Sequence, residues 1–247
     1  MSKIHLVLSC EHAGNDLTSH IKIPKAVLKS HRGYDIGAYE LALFFRNYFK
    51  VPLYYQTLSR LVIEMNRSLH HPKLFSEFTD SLTKENKDNL IQTFYKPYRD
   101  EIEGVIKKKL PVLHLSIHTF TPIFEGEERE ASIGLLYDSR RGLEKTFCGL
   151  WKQKLKNNLN LEYKTKMNYP YLGKADGLTS FLRKKFKPEE YLGIELEVSN
   201  GLFRKPKEFE KIAVVLVKTL KECLTEWEKK CLISTASPQI PPAVRRV

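Results

Sequence analysis

The stretch LHLSIHTFTP, residues 113–122, decides the fold class of this chain. It begins as a largely apolar run of the kind that forms a strand buried inside a sheet. It ends with His118 and, four residues later, with Pro122, which cannot continue a central strand. A histidine at such a strand end is either a hydrogen-bonded core group or a group held out into a cleft for chemistry. This stretch alone leaves both interpretations open.

Other strand-like runs lie on both sides of this one and alternate with segments of helical periodicity. The first covers residues 4–9, and the last is YLGIELEV at residues 191–198. We also predict strands in VPLYYQT, LVIEM, SIGLLY and LEYKTKM, and helices at residues 36–48, 89–109, 144–156 and 207–231 and directly after Gly177. Pro97 should kink or split the second of these helices. The alternation predicts an α/β fold with helices on both faces of a sheet, in which functional groups gather beyond the carboxyl ends of strands.

The length and composition bound the domain organisation. The chain has 247 residues, of which 42% are hydrophobic, and this is enough for a substantial core. We assign residues 1–232 to one domain and predict a disordered tail at residues 233–247, which contains SPQIPP. The polar segment at residues 75–89 is predicted to be an exposed excursion.

The charge and the cysteines bound the partners and the compartment. A net charge of +12 would suit a nucleic acid or an anionic membrane, but the basic residues spread along helices and no compact nucleic-acid-binding motif accompanies them. No apolar run reaches the roughly 18 residues that a membrane span needs. Four scattered cysteines without a CxxC pair favour a reducing cytoplasm. We therefore expect a cytoplasmic protein with a basic solvated surface, bound neither to a membrane nor to nucleic acid, and leave its oligomeric state open.

Two histidines and one aspartate are candidate metal ligands. His12 follows the first predicted strand, His118 ends the middle one, and Asp35 stands in YDIGA at the start of a predicted helix. Two imidazoles and a carboxylate can hold a catalytic zinc ion and leave a position for water. The plainer alternatives are that Asp35 is a helix N-cap and that each histidine is a hydrogen-bonded core group.

Two further motifs carry polar groups that could act on a substrate. Asn66 and Arg67 end the apolar run in SRLVIEMNRS, and an arginine can grip a carboxylate with two parallel hydrogen bonds. Glu195 and Glu197 lie on one face of the last predicted strand, where a carboxylate is costly unless it is paired or used. The alternatives are a surface salt bridge for Arg67 and, for the two glutamates, a pair of carboxylates neutralised by nearby lysines or arginines.

These motifs together resemble the N-formylglutamate amidohydrolase family. The motifs SCEHAGN, YDIGA, SRLVIEMNR, YKPYRD, SIHTF, GKADG and IELEVSNGL occur in this order and span roughly residues 6–202. A more distant similarity is to the zinc carboxypeptidases. The resemblance implies a zinc-carboxypeptidase-like, three-layer αβα domain with a mixed central sheet and one zinc ion per chain.

The resemblance also implies roles for individual residues. His12 and His118 match the two metal histidines, Glu195 matches the general base, and Asn66 with Arg67 matches the clamp for a substrate carboxylate. The acidic metal ligand is assigned to Asp35, with Glu11 and Asn15 as the alternatives. Arg60 or Lys174, which also lie in matching motifs, is expected to help bind an anionic substrate.

The expected activity is zinc-dependent cleavage of the amide bond of a small, carboxylate-bearing N-acyl amino acid. N-formyl-L-glutamate is the first candidate, and it would yield formate and L-glutamate. The chain departs from the pattern of the formylglutamate hydrolases at two places: it reads EHAGN where they tend towards PHSG, and SIHTF where they tend towards DAHS. The alternatives are a carboxypeptidase-like peptidase or another deacylase on the same centre, another divalent ion in place of zinc, and a basic nucleic-acid-binding protein on an inactive hydrolase fold.

Overall fold

The computed structural model describes residues 3–236, and these residues form a single α/β domain around one six-stranded sheet. The strands are β1 (His5–Cys10), β2 (Leu53–Tyr55), β3 (Val112–Phe120), β4 (Ile123–Phe124), β5 (Glu127–Glu128), β6 (Ile133–Leu136), β7 (Thr165–Met167) and β8 (Tyr191–Ser199). The α-helices are α1 (Lys25–Leu28), α2 (Ala38–Phe49), α3 (Lys84–Leu90), α4 (Lys96–Lys109), α5 (Gly142–Asn158), α6 (Leu178–Arg183) and α7 (Pro206–Ala236).

The central sheet is mixed, as the resemblance implied. Its strand order is β2-β1-β3-β8-β6-β7, and β4 and β5 form a separate hairpin. The first four strands of this order are parallel, β6 runs antiparallel to β8, and β7 is parallel to β6. Helices cover both faces of the sheet, so the prediction of a three-layer αβα domain is confirmed.

Alternation along β1, β3 and β8 gives the sheet two unlike faces. We call one the apolar face: Leu6, Leu8, Leu113, Leu115, Ile117, Leu192, Ile194 and Leu196 join the largest core cluster with α2, α5 and α7. We call the other the polar face: its positions are Val7, Ser9, His114, Ser116, His118, Gly193, Glu195 and Glu197, and an apolar cluster from α4 and α6 packs against part of it. With the exception of Thr119, the polar side chains of these strands therefore point to one side.

The strand register arranges these polar groups in rows across the polar face. Ser9 pairs with Ser116, and Ser116 pairs with Glu195. One step further towards the carboxyl edge, His118 pairs with Glu197. The strand continues to Phe120, two residues beyond the predicted end at His118, so this histidine lies within the strand, close to its carboxyl end.

One predicted strand is wrong. The run LVIEM, residues 61–65, lies in a series of turns, although its side chains are buried in a second core cluster. Side chains take the place of a neighbouring strand: the hydroxyls of Ser76 and Thr79 donate to the carbonyl of Leu61, and Arg99 donates to that of Met65 at 3.0 Å. An apolar run can therefore be buried without being a strand where side chains satisfy its backbone.

Three other expectations meet the structure with different results. The segment at residues 75–89 is less of an excursion than predicted, because Phe75, Phe78 and Leu82 pack against the second core cluster and α3 begins at its end. The chain stays helical across the predicted helix at 89–109, and a π-helical turn, Ile91–Tyr95, lies just before Pro97, where a kink or a split was predicted. The last helix reaches Ala236, and residues 237–247, most of the predicted tail, lie outside the described residues.

Within residues 3–236, no helix combines the length and the apolar character needed to cross a membrane.

Candidate active site

Three separate segments bring His12, Asp35 and His118 together at the carboxyl edge of the parallel strands. His12 follows β1, His118 lies near the end of β3, and Asp35 sits in the turn before α2. The backbone N–H of Asp35 donates to the carbonyl of His12 at 3.1 Å, which ties the turn to the end of β1. The turn depends on Gly37, whose φ of 86° is in the left-handed region and where a Cβ would lie 2.3 Å from the ring of Phe203.

The three side chains meet through one carboxylate oxygen. Asp35 Oδ2 lies 3.2 Å from Nδ1 of His12 and 2.8 Å from Nδ1 of His118. One potential ligand atom from each residue lies within 4.8 Å of the others, and all three residues are buried. Asp35 is not the N-cap of α2, which begins from Gly37 without a side-chain cap.

The second nitrogen of each histidine faces a different buried carboxylate. Nε2 of His12 contacts Oε1 of Glu64, and Nε2 of His118 lies 2.9 Å from Oε2 of Glu11. Each imidazole is therefore held between Asp35 on one side and a glutamate on the other. Glu11, an alternative metal ligand from the sequence, lies on the side of His118 away from Asp35.

The carboxylates control the charge of the two imidazoles. Burial opposes protonation of His118, but hydrogen bonds to Asp35 and Glu11 outweigh it and hold its pKa well above the usual range. Burial and the charge of Arg60 oppose protonation of His12, whose pKa is nevertheless raised by Glu64 and Asp35. Burial would raise the pKa of Asp35, but the two histidines and Arg60 hold it well below its usual value. The centre is thus built to hold positive charge beside Asp35.

The donor set suits a divalent cation of the zinc type. Two imidazoles and one carboxylate form the usual three-ligand set of a catalytic zinc site. Carboxylates that accept the outer N–H of metal-bound histidines fix the ring orientation, and Glu11 and Glu64 stand in that position. His12, Asp35 and His118 therefore fit a metal ion bound through the two Nδ1 atoms and the aspartate.

Both glutamates of β8 line the same cavity as these three residues, but their surroundings differ. Glu195 Oε1 accepts a hydrogen bond from the hydroxyl of Thr179 at 2.5 Å. Glu197 pairs in register with His118, is 5% exposed, and has one oxygen, Oε2, without a hydrogen-bond partner among the described residues. Burial raises the pKa of Glu197 to about 8, the charge of His118 opposes the rise, and the charges of Asp35 and Glu195 add to it.

Asn66 and Arg67 reach the cavity from the loop after the LVIEM run. Arg67 donates from Nη1 to two backbone carbonyls, those of Asn66 at 2.8 Å and Asp176 at 3.0 Å, which fixes the guanidinium plane at the cavity wall. Asn66 Oδ1 accepts from the backbone N–H of Leu178 at 2.7 Å, and a Cβ at Gly177 would lie 2.7 Å from that same oxygen. No described carboxylate forms a salt bridge with Arg67.

The remaining predicted residues fall in three different places. Arg60 lines the cavity, but its guanidinium is committed to Asp35 at 3.0 Å and to Glu64 at 2.6 Å. Lys174 is exposed and is not part of the cavity wall. Asn15 donates to the carbonyl of Leu28 at 3.2 Å and is not part of the cavity wall. Arg60 therefore orders the carboxylates of the centre rather than offering a free cation.

The cavity has a volume of about 200 Å³. Its mouth carries Tyr171 and Leu172, two exposed side chains on the segment after β7. Sequence reasoning did not single out these two residues, nor Glu64 and Thr179. Glu64 offered a signal, since a glutamate inside an apolar run is costly to bury without a partner.

Comparisons with known proteins agree with this picture of the fold. Residues 4–204 match the family model of the N-formylglutamate amidohydrolases. No curated protein matches the chain. The crystal structure of the gene product Atu2144 from Agrobacterium tumefaciens superposes with a TM-score of 0.78 at 26% sequence identity and covers 92% of both chains.

A weaker likeness is to solved amidase structures. The CwlD amidase from Clostridioides difficile, solved with the GerS lipoprotein, gives a TM-score of 0.43 at 14% identity and covers 90% of this chain and 98% of its own. An N-acetylmuramoyl-L-alanine amidase from Clostridium difficile 630 gives 0.44 at 11% identity, covering 91% and 98%. These likenesses are too weak to inform the function of this chain.

Proposed function

Because this chain belongs to the N-formylglutamate amidohydrolase family, we propose that it is a zinc-dependent hydrolase of N-acyl amino acids. N-formyl-L-glutamate is the first candidate substrate, and formate and L-glutamate are the expected products. The observation that carries the proposal is the meeting of His12, Asp35 and His118 in one small cavity with Arg67 and a pair of glutamates.

His12, Asp35 and His118 would hold the metal ion. A bound zinc ion supplies two things to amide hydrolysis: it lowers the pKa of a bound water towards neutrality and it polarises a carbonyl oxygen. Arg60, paired with Asp35 and Glu64, keeps both carboxylates in place and offsets part of their charge.

We assign the general base to Glu197 rather than to Glu195. Glu197 stands level with His118 in the strand register and keeps one buried oxygen free of described partners. Glu195 lies one step deeper, level with Ser116, and is engaged by Thr179. A base must reach the water that attacks the substrate, and it must be ionised. Glu197 is level with His118, and a divalent cation held beside that histidine would lower the pKa of Glu197 from about 8 and favour the carboxylate that accepts the proton.

Arg67 and Asn66 are proposed to bind the substrate's carboxylate. The Arg67 guanidinium is positioned by two backbone carbonyls and forms no salt bridge with a described carboxylate, so its charge is available to a ligand. A carboxylate held there in two parallel hydrogen bonds would fix the amide relative to Glu197.

The proposed reaction needs one proton to move twice. Glu197 accepts a proton from the water that attacks the amide carbon. It then delivers that proton to the amide nitrogen as the carbon–nitrogen bond breaks, and a carboxylic acid and a free amino acid leave.

The size of the cavity favours a small substrate over a peptide. Ligand pockets commonly range from about 300 to 1,000 Å³, and this one is about 200 Å³. Tyr171 and Leu172 at the mouth would limit the length of the substrate and keep bulk solvent, beyond the one attacking water, out of the cavity. The proposal therefore places the carboxypeptidase-like alternative second.

The test joins metal content to product release. We expect about one zinc ion per chain and formate release from N-formyl-L-glutamate that stops on chelation and returns with added zinc. N-acetyl-L-glutamate and a short peptide serve as matched substrates that differ in the acyl group. A chain that takes up zinc but hydrolyses none of a panel of N-acyl amino acids would contradict the substrate class. A chain that takes up no zinc would contradict the metal site and favour the basic nucleic-acid-binding alternative.

A further inference from the structure

Glu11 precedes one candidate metal histidine in sequence but contacts the other one in space. Its Oε2 lies 2.9 Å from Nε2 of His118, on the side of the ring away from Asp35. The strand register explains this, because Ser9 of β1 pairs with Ser116 of β3. Glu11 and His118 each lie two residues further along, so Glu11 stands beside His118.

The carboxylate of Glu11 is held at both oxygens inside the core. Oε1 accepts from the hydroxyl of Tyr98 at 3.0 Å, and Oε2 accepts from the hydroxyl of Ser116 as well as facing His118. The residue is 0% exposed. A buried carboxylate is costly unless it is paired and hydrogen-bonded. This full set of partners indicates that the Glu11 carboxylate is held in a fixed position beside the ring of His118.

We propose that Glu11 is a positioning residue for the metal centre. It accepts the Nε2–H of His118, and it thereby fixes the tautomer and the orientation in which Nδ1 presents its lone pair beside Asp35. The inference rests on the proposed metal-dependent function and adds to it the residue that prepares one ligand. Glu11 acts through His118 and touches neither the metal nor the substrate.

The two departures from the family's motifs meet at this contact. Position 116 carries a serine where the motif of the formylglutamate hydrolases tends to carry an aspartate, and position 11 carries a glutamate where it tends to carry a proline. Ser116 Oγ lies 2.8 Å from Nε2 of His118, so a carboxylate on residue 116 would also reach this nitrogen. In this chain the carboxylate beside His118 comes from β1 rather than from β3.

The test removes the carboxylate from residue 11 and then places one on residue 116. Glu11→Gln keeps the shape of the side chain but removes its charge, and we expect zinc binding, measured by competition with a chelator, to weaken about 10- to 100-fold. Adding Ser116→Asp to that variant should restore most of the affinity. Nitrogen NMR of the zinc-loaded protein should show the Nε2–H tautomer of His118 in the wild type and the double variant, and a mixture of tautomers in Glu11→Gln.

Two further variants separate positioning from general stability. Glu144→Gln removes an equally buried carboxylate, 1% exposed and paired with Arg183 at 3.0 Å, and should lower stability without changing zinc affinity. Tyr98→Phe removes only the hydroxyl that holds Oε1 of Glu11 and should weaken zinc binding a few-fold if Glu11→Gln does not fold.

The outcomes distinguish this inference from the function on which it rests. A wild type that binds no zinc contradicts the proposed function and this inference together. A wild type that binds zinc while Glu11→Gln keeps both its affinity and its His118 tautomer overturns the positioning role alone. Loss of affinity in Glu11→Gln that Ser116→Asp fails to restore also overturns it, because the effect would then come from the fold around Glu11.

Discussion

The two faces of the central sheet are made by the same three strands and differ in almost every respect. On the apolar face, Leu8, Leu115 and Leu196 are fully buried in the main core. On the polar face, His118 and Glu197 stand side by side at the carboxyl edge, where the candidate metal ligands meet. Because side chains alternate, each polar group is bracketed in sequence by core residues that hold its backbone rigidly. The comparison teaches that one strand can serve stability with one face and chemistry with the other.

The largest effect should come from the polar face. Glu197→Gln removes the proposed base, so we expect kcat to fall by about 10²- to 10⁴-fold while the unfolding transition stays near that of the wild type. Steady-state kinetics with matched zinc content would measure it. Glu195→Gln is the matched control on the same face of the same strand, and we expect a much smaller loss. A larger loss in Glu195→Gln would return the base to the residue that the sequence motif suggested.

The apolar face should respond in stability rather than in turnover. Leu115→Ala opens a cavity in the main core, and we expect the free energy of unfolding to fall by about 2 to 5 kcal/mol. The turnover per folded molecule should stay close to the wild-type value. Urea unfolding and activity at low temperature would check both. A large fall in kcat for a folded Leu115→Ala protein would show that the two faces are not separable.

A third change tests the cavity wall. Arg67→Gln removes the proposed carboxylate clamp, so KM should rise and kcat/KM should fall by roughly 10- to 100-fold, as for a lost hydrogen bond to a charged group. The matched control is a substrate whose carboxylate is replaced by a carboxamide. The variant and the wild type should hydrolyse that substrate at similar rates. An equal loss with both substrates would point to a structural role, since Arg67 also braces two backbone carbonyls.

The smallest effect concerns His114, which lies on the polar face but away from the metal ligands. Its ring nitrogens contact Ser9 and Tyr191 at 2.8 Å each. Burial lowers its pKa to about 4, opposed by the charge of Glu11 and reinforced by the charges of Arg183 and His118.

The sign of the pH effect follows from this depressed pKa. As the pH falls from about 6.5 to about 4, the unfolded chain takes up a proton at residue 114 that the folded chain does not, so the stability present above pH 6.5 declines through this window. The slope of the unfolding free energy against pH is proportional to the number of protons taken up on unfolding. In His114→Gln this number should be smaller, by at most one. Denaturant unfolding at several pH values would measure the difference. Identical slopes in both proteins would contradict a buried neutral imidazole.

The sequence predicts the parts of this molecule that depend on local pattern. The strands around His118 and Glu195, the irregular helical turn before Pro97 and the α/β alternation all follow from periodicity and from proline chemistry. His12 and His118 could be named because they stood at the ends of apolar strands, whereas Asp35 was named from the family resemblance of the YDIGA motif. The LVIEM run was misjudged because burial, not pairing, makes a run apolar, and its backbone is satisfied by side chains far away in sequence.

The contacts between segments could not be read from the sequence. Glu195 and Glu197 are two residues apart and therefore point to the same face of the sheet. Only the pairing of β8 with β3 shows that Glu197 is the one level with His118. Glu11 was weighed as a metal ligand because it adjoins His12, whereas the pairing of β1 with β3 places it on the outer nitrogen of His118. Arg60 was expected to meet the substrate, but two buried carboxylates already occupy its guanidinium. The first two of these depend on strand register and the third on how separate loops pack together, and local pattern determines neither.

The most direct test of the central claim is to locate the metal. Anomalous diffraction at the zinc edge, from crystals of the zinc-loaded chain, should give one strong peak among Nδ1 of His12, the carboxylate of Asp35 and Nδ1 of His118. Nε2 of His12 should still contact the carboxylate of Glu64, and Nε2 of His118 should still contact that of Glu11. A zinc-saturated crystal with no peak there, or with a peak on the Nε2 side of either histidine, would contradict the account.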